Sequence, residues 1–169
     1  MKIKSIKSLL AKTCLLTTKK TSDNKYDFEI DGLRYNIVSL SDLTCKLVGS
    51  ANGFAGDIVI PTNVTYQNKT IAVVEIAARL FEGCSKLTGI TIPNTIAIIS
   101  DKMFADCTKL RRVEIEDGAT ALGLGYNRPR GVFRNCPITS LYIGRNLSYS
   151  ADDWGGFSPF YIKPQIRNL

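Results

Sequence analysis

Two consecutive stretches, SKLTGITIPNTIAIISDKMFADC (85–107) and TKLRRVEIEDGATALGLGYNRPRGVFRNC (108–136), carry the same order of apolar residues. The aligned pairs are Leu87/Leu110, Ile90/Val113, Ile92/Ile115, Phe104/Phe133 and Cys107/Cys136. The first three pairs lie 23 residues apart, and the last two require a six-residue insertion, which the glycine-rich stretch 123–131 can supply. A regular internal period of this length is typical of stacked repeat architectures.

The pattern continues on both sides of these two copies. The same slots are filled upstream by Ile58, Ile60, Phe81 and Cys84, and downstream by Ile138, Leu141 and Ile143. The upstream copy holds about nine additional residues in VTYQNKTIAVV (64–74), where alternating apolar residues flank a polar centre at 67–69. This insertion predicts a β-hairpin within the first copy.

Each copy has two physical parts. The segment L-x-x-I-x-I alternates and therefore predicts a short strand with one buried side. A turn follows at Pro93-Asn94 or Asp117-Gly118, then a second apolar pair, then F-x-x-C. One 23-residue unit cannot bury its apolar side alone, so the copies are expected to stack with equivalent residues in columns. The sequence thus predicts a mainly β solenoid with short helical turns.

These residues resemble the BspA-type leucine-rich repeats of surface proteins from Bacteroides-like bacteria and some parasitic protists. The matching segments are LTGITIP (87–93) and IAIISDKMFADC (96–107), with variants on either side, and the similarity extends over roughly residues 26–157. The resemblance implies a right-handed solenoid with strands along one face, in an exported or surface-attached protein used for adhesion or protein recognition. With three to four repeats, the chain is shorter than many members of that family.

The chain divides into four predicted segments: a basic leader (1–25), an N-terminal β cap (26–56), the leucine-rich-repeat solenoid (57–147), and a C-terminal cap and tail (148–169). In the cap, Asp31-Gly32 separates two alternating segments and predicts a two-residue hairpin turn, because both central positions need positive φ. Trp154, Phe157, Phe160 and Tyr161 are expected to close the stack. An aromatic platform for sugar rings is the alternative for these four residues.

The leader holds seven lysines and one acid, Asp23, so most of the net charge of +7 is concentrated there. A basic start followed by an apolar stretch from Leu9 to Leu16 resembles an export signal. Lys12 interrupts that stretch, so a basic tail remains the alternative. Because the charge is not spread over a folded face, nucleic acid is not an expected partner. No apolar run is long enough to predict a transmembrane helix.

The absence of histidine excludes Ser-His-Asp and Cys-His catalysis, and with it the commonest transition-metal ligand. Cys84, Cys107 and Cys136 share one repeat position, which predicts a buried column of small apolar side chains, with a reactive thiol or a metal site as the alternative. The carboxylate pairs Glu114/Glu116 and Asp152/Asp153 lie on no predicted cleft. The sequence therefore predicts no enzyme, no cofactor and no metal.

Two surfaces are candidate partner sites. Reading the repeats in register gives three outward columns: Val59, Thr91, Glu114 and Tyr142; Asp57, Gly89, Arg112 and Ser140; Gly56, Thr88, Arg111 and Thr139. Arg111, Arg112, Glu114 and Tyr142 are the binding residues predicted on this face. Tyr126, Arg128 and Arg130 of the insertion GLGYNRPRG (123–131) form the second candidate, with a solvated surface loop as the alternative.

The function predicted from these observations is non-catalytic recognition or adhesion, in which the strand face binds a protein or a glycan. The alternative is a structural scaffold that self-associates without a strong ligand. The expected location is secreted or at the cell surface.

Overall fold

The computed structural model describes residues 26–124 and 131–149, which form twelve strands and contain no helix. The strands are β1 (Phe28–Ile30), β2 (Leu33–Ser39), β3 (Thr44–Ser50), β4 (Gly56–Val59), β5 (Asn63–Tyr66), β6 (Lys69–Ile76), β7 (Leu87–Ile92), β8 (Ile98–Ile99), β9 (Arg112–Ile115), β10 (Leu122–Leu124), β11 (Ser140–Ile143) and β12 (Leu147–Ser148). They form three sheets, in the orders β1-β2-β3-β6-β5, β11-β9-β7-β4 and β12-β10-β8.

The first sheet contains both predicted hairpins. Asp31 and Gly32 join β1 to β2 with φ values of 50° and 76°, and Gln67 and Asn68 join β5 to β6 with φ values of 50° and 60°. Positive φ at both central residues matches the twist of the flanking strands. The second hairpin interrupts the first repeat along the chain, yet β6 pairs in parallel with β3 of the N-terminal segment. The five strands thus form one sheet at the start of the solenoid.

The other two sheets are parallel and contain the repeats. Neighbouring coils, each one repeat of the solenoid, pair β4 with β7, β7 with β9, and β9 with β11. The pairing confirms the predicted columns Val59, Thr91, Glu114, Tyr142 and Asp57, Gly89, Arg112, Ser140. The third predicted column is wrong at its first position, because Gly56 pairs with Leu87 instead of Thr88. The register shifts by one residue between Gly56 and Asp57, which is a β-bulge.

The F-x-x-C segments form single turns. In each, the cysteine N–H bonds to the phenylalanine carbonyl three residues earlier, at 3.1, 3.3 and 3.2 Å in the three copies. The residue before the cysteine is left-handed each time, with φ of 73° at Gly83, 64° at Asp106 and 59° at Asn135. Glycine, aspartate and asparagine are the residues that tolerate this conformation best. The helical turns predicted from sequence are thus minor features.

Phenylalanine rings form a column through the stack. Phe81, Phe104 and Phe133 are 0% exposed, and their successive ring centroids are 5.1 and 5.2 Å apart. Phe54, whose sequence position gave no repeat signal, extends the column with a tilted ring 4.4 Å from Phe81. These residues belong to one apolar core that runs from Phe28 in the first sheet to Ile138 in the last coil.

The cysteines of the repeat line a second column. The thiols of Cys107 and Cys136 each donate a hydrogen bond of 2.9 Å to a backbone carbonyl of the preceding coil, on Phe81 and Phe104 respectively. The neighbouring Cys136 thiol and burial together raise the pKa of Cys107. Burial also raises the pKa of Cys84. All three thiols are free, so their geometry fits packing between coils.

Candidate recognition surface

The strand face consists of the side chains that β4, β7, β9 and β11 direct away from the core. Alternation along a strand buries one set of residues, such as Ile90, Val113 and Ile115, and leaves the set between them outside. The residues that point away from the core are Asp57, Val59, Gly89, Thr91, Arg112, Glu114, Ser140 and Tyr142. Among them, Thr91 is covered by its neighbours and is only 6% exposed. Because the strands are parallel and in register, these residues form two straight rows across the coils.

Arg112 is the central charged group of the strand face. Its Nη2 lies 3.1 Å from Asp57 Oδ2, and its Nη1 lies 3.0 Å from Glu114 Oε2. Asp57 and Arg112 are on strands separated by β7, where Gly89 occupies the position between them. A Cβ at Gly89 would lie 2.5 Å from Asp57 Oδ1. The glycine thus makes room for an ion pair that crosses two coils.

Asp57 is fixed by a second contact. Thr88 donates a hydrogen bond of 2.7 Å from Oγ1 to Asp57 Oδ1. This bond and the one from Arg112 lower the pKa of Asp57 below its ordinary value. The carboxylate therefore stays ionised at neutral pH and keeps Arg112 in place. Since both side chains are substantially exposed, the pair orders the surface more than it stabilises the fold.

Tyr142 is 52% exposed and lies at the outer end of its row. Its hydroxyl donates a hydrogen bond of 2.8 Å to Asp117 Oδ1 in the turn that follows β9. This bond raises the pKa of Tyr142. One face of the ring is thus held open to solvent in a fixed orientation.

A buried arginine organises the turns beside the strand face. Arg145 is 6% exposed and donates hydrogen bonds of 3.0 and 3.1 Å to the carbonyls of Pro93 and Asn94, two coils away. Burial lowers its pKa, an effect that nearby Glu116 opposes. Glu116 Oε2 accepts a hydrogen bond from the Asn94 N–H, whereas Glu114 Oε2 contacts Arg112. Glu114 and Glu116 therefore act separately and do not form a carboxylate pair.

The structure brings four predicted binding residues together. Arg112, Glu114 and Tyr142 lie on the strand face, and Arg111 is exposed at the residue before β9. Tyr126, Arg128 and Arg130 lie outside the described residues, as do Asp152, Asp153 and the aromatic residues of 154–161. Sequence reasoning placed Asp57 in the correct column but missed its contact with Arg112. It identified Asp117 as a turn residue but not as the partner of Tyr142, and it gave no signal for Arg145.

The described ranges contain no group of three or more cysteine, aspartate or glutamate side chains arranged to hold a metal ion. Within the same ranges, no helix is long and apolar enough to cross a membrane.

Comparison with known proteins identifies the repeat. A family profile described as "BspA type Leucine rich repeat region" matches residues 74–153, in six copies. No curated protein sequence matches the chain significantly. The matched residues begin within β6 and include strands β7 to β12.

Three solved structures with this fold are larger than this chain. A leucine-rich repeat protein from Bacteroides ovatus is 27% identical, with a TM-score of 0.54, over 73% of this chain and 37% of its own. A leucine rich cell surface protein from Faecalibacterium prausnitzii is 23% identical, with a TM-score of 0.53, over 72% and 34%. The T. pallidum leucine-rich repeat protein is 20% identical, with a TM-score of 0.55, over 78% and 57%.

The present chain thus spans about a third of the first two of these proteins. The profile match, the 23-residue period and the stacked phenylalanine column agree that residues 74–153 form a BspA-type leucine-rich repeat region.

Proposed function

We propose that this chain is a non-catalytic recognition module that binds a protein through its strand face. The observation that supports the proposal is the ion-paired group Asp57, Arg112 and Glu114, which is held across the coils beside the exposed ring of Tyr142. Arginine and tyrosine are favoured anchors of protein interfaces. Leucine-rich repeats in general bind partners on such extended faces.

The size of the strand face limits how it can act. Four strands spaced about 4.8 Å apart span about 14 Å, and each supplies two outward residues. A stable interface uses roughly 20–30 residues on each side. We therefore propose that the strand face is the centre of the contact, and that Arg111, Asn94 and Asp117 on its borders contribute to the rim. The insertion residues Tyr126, Arg128 and Arg130 are proposed as a further part of the rim.

Partner capture with matched variants tests this proposal. The full chain would be immobilised and exposed to extracellular proteins, with bound partners identified by mass spectrometry. Arg111→Glu with Arg112→Glu is expected to abolish capture. Lys69→Glu with Arg79→Glu makes the same change in net charge away from the strand face and should leave capture intact. Equal capture by both double variants would exclude the strand face as the binding surface.

A self-associating scaffold is the second candidate function, favoured by the exposure of Ile143 on the outermost described strand of the sheet, β11. Light scattering after size exclusion separates the two functions. A mass that rises with concentration and returns to that of a monomer in Ile143→Thr supports the scaffold. A monomer at all concentrations excludes it.

We also propose that the chain is secreted or displayed at the cell surface. The support is its repeat family and the cell surface description of the Faecalibacterium prausnitzii structure. Fractionation of the native source tests the location. Recovery of the protein with the surface or medium is expected, and recovery only from the cytosol would reject this part of the proposal.

A further inference from the structure

A cleft of about 610 Å³ separates the first sheet from the first parallel strand of the solenoid. The β1–β2 turn, β5 and β4 form its walls, and it is lined among others by Asp31, Tyr35, Asp57, Val59, Asn63 and Thr65. Its volume lies within the range typical of ligand sites. It opens beside the strand face, on the side of β4 that no other described strand covers.

The backbone of β4 offers unpaired groups to this cleft. The N–H groups of Gly56 and Ile60 donate to the carbonyls of Lys86 and Thr91, so these alternate residues of the strand face β7. By the alternation of a parallel ladder, the N–H and C=O groups of Asp57 and Val59 point the other way. Within residues 26–124 and 131–149, β4 is an edge strand of its sheet. An exposed strand edge of this kind accepts an additional strand.

The side chain of Tyr35 lines the cleft as well. Tyr35 is 1% exposed, lines the cleft and forms no hydrogen bond through its hydroxyl within the described part of the chain. The hydroxyl is therefore free to bond to water or to a ligand in the cleft. Burial, with smaller effects from Cys45 and Asp31, raises the pKa of Tyr35, so the hydroxyl remains a donor at neutral pH.

The charge of the cleft is negative. Asp57 is already bound by Thr88 and Arg112, whereas Asp31 is exposed and forms no ion pair or hydrogen bond with another described residue. None of the described residues that line the cleft is cationic. A ligand that brings a positive charge would therefore find Asp31 as its partner.

From these observations we infer that the cleft binds an extended segment of a partner protein, which adds as a strand to β4 and places a lysine or arginine beside Asp31. The backbone of Asp57 and Val59 supplies the main-chain hydrogen bonds, and Asp31 supplies the preference for a basic side chain. The inference depends on the proposed recognition function for its biological role. It concerns the cleft, which adjoins the strand face at Asp57 and Val59, and it defines the chemistry of the ligand.

Capped octapeptide pools provide the test on the full chain. The central residue is lysine in one pool and glutamate in a matched pool, with the other positions drawn from threonine, valine, serine and tyrosine. The lysine pool is expected to bind at least about tenfold more tightly, as a charge-assisted hydrogen bond would give. The backbone amides of Asp57 and Val59 should shift in NMR spectra on binding. Equal binding of the two pools would overturn the inference.

Two variants test the contacts separately. Asp31→Asn keeps a side chain that tolerates the left-handed turn and removes the charge, so it should weaken the lysine pool about tenfold. Asp42→Asn, at the opposite end of β2, is the control and should have no effect. Val59→Pro removes an N–H that β7 does not use and should also weaken binding. If that variant does not fold, lysine peptides N-methylated at alternate residues replace it, and undiminished binding of these peptides would refute strand addition.

Other occupants of the cleft have their own signatures. Binding of an immobilised glycan that Asp31→Asn abolishes would replace the peptide ligand with a saccharide and overturn the inference. A dimer that Val59→Pro disrupts would assign the edge to a second copy and equally overturn it. Tyr142→Ala separates the two proposals, because peptide binding should survive this change. If the peptides bind but no partner is captured, only the proposed function of the strand face is rejected. If a partner is captured but the peptides do not bind, only the proposed peptide site in the cleft is rejected.

Discussion

Single residues determine which charged groups meet on the strand face. Gly89 is the clearest case, since any side chain there would contact the Asp57 carboxylate, which lies over it. The absence of that side chain lets Asp57 and Arg112 pair although they are 55 residues apart in sequence. The order of the surface thus depends on a residue that itself offers no functional group.

Replacing this glycine tests the arrangement. Gly89→Ala should force the Asp57 carboxylate away and lower the free energy of unfolding by about 1 kcal/mol, the lower end of overpacking effects. In an Asp57→Ala background the same change should have almost no effect, because the nearest atoms to the new methyl group are those of Asp57. Urea denaturation of the four proteins measures the coupling. If the effects of the two substitutions on the free energy of unfolding were additive, the contact with Asp57 would not be the reason that a side chain at position 89 is unfavourable.

A buried thiol gives a pH dependence. Burial raises the pKa of Cys45 to about 12, whereas an unfolded cysteine titrates near about 8.5. Between these values the unfolded chain has lost the proton and the native chain retains it. The free energy of unfolding therefore falls as pH rises from about 8.5 to 12, by at most about 1.4 kcal/mol per pH unit from this group.

Cys45→Ala should reduce this alkaline loss of stability. Urea denaturation at pH 8 and pH 10, under reducing conditions, should show a smaller difference for the variant than for the original chain. Val73→Ala is the matched control, because Val73 pairs with Cys45 in the sheet and is equally buried but does not ionise. The same loss of stability in all three proteins would contradict the assignment to Cys45.

At the scale of elements, the turn of each coil combines a ring, a left-handed residue and a thiol. The ring packs along the column, the left-handed residue reverses the chain, and the thiol bonds to the preceding coil. The bond from the thiol is present at Cys107 and Cys136. In the later turns, Arg134 also lies 2.7 Å from Asp106, and Asn135 donates a hydrogen bond of 2.6 Å to the same carboxylate. Successive turns are therefore linked by apolar, backbone and polar contacts.

The phenylalanine column should show a gradient of stability along its length. Phe104 stacks on rings at both sides, whereas Phe54 contacts one ring at the end of the column and is only partly buried. Phe104→Ala should therefore lower the free energy of unfolding by about 3–5 kcal/mol, and Phe54→Ala by less. Urea denaturation measures both values. A larger loss of stability in Phe54→Ala than in Phe104→Ala would contradict the view that stacking within the phenylalanine column stabilises the coils.

At the scale of the whole molecule, the first sheet and the repeats share one apolar core. Leu47 of β3 and Val113 of β9 belong to the same cluster, and Thr95 of the second coil donates a hydrogen bond of 2.6 Å to the Val73 carbonyl of β6. Apart from the cleft beside β4, the apolar core is continuous from the first sheet into the coils. The first sheet is therefore expected to cover the open end of the solenoid and to unfold together with it.

Hydrogen exchange tests this cooperativity. Leu47→Ala should lower the free energy of unfolding by about 2–5 kcal/mol and reduce amide protection equally in β3 and β9. Val38→Ala, at a half-exposed position of β2, should leave both unchanged. Unaltered protection of β9 in Leu47→Ala would mean that the first sheet and the repeats unfold independently.

The sequence by itself determined the coil. The 23-residue period, the alternation in each strand and the F-x-x-C turns depend on neighbours within a few residues, so they can be read in order along the chain. The same local chemistry predicted both hairpins at Asp31-Gly32 and Gln67-Asn68 and the stacked ring column. The alternation of apolar residues indicates which side of each strand is buried. Aligning the repeats by this alternation gave the correct register for two of the outward columns.

Only the tertiary structure decided which distant groups meet. The bulge at Gly56, the pairing of β6 with β3, and the reach of Arg145 to Pro93 depend on distances between coils, which no sequence spacing encodes. The ion pair over Gly89 and the cleft beside β4 arise in the same way, where long side chains or strand edges approach across the stack. The surfaces to which we assign recognition therefore depend on how far side chains and strand edges reach in three dimensions, and local periodicity does not determine this.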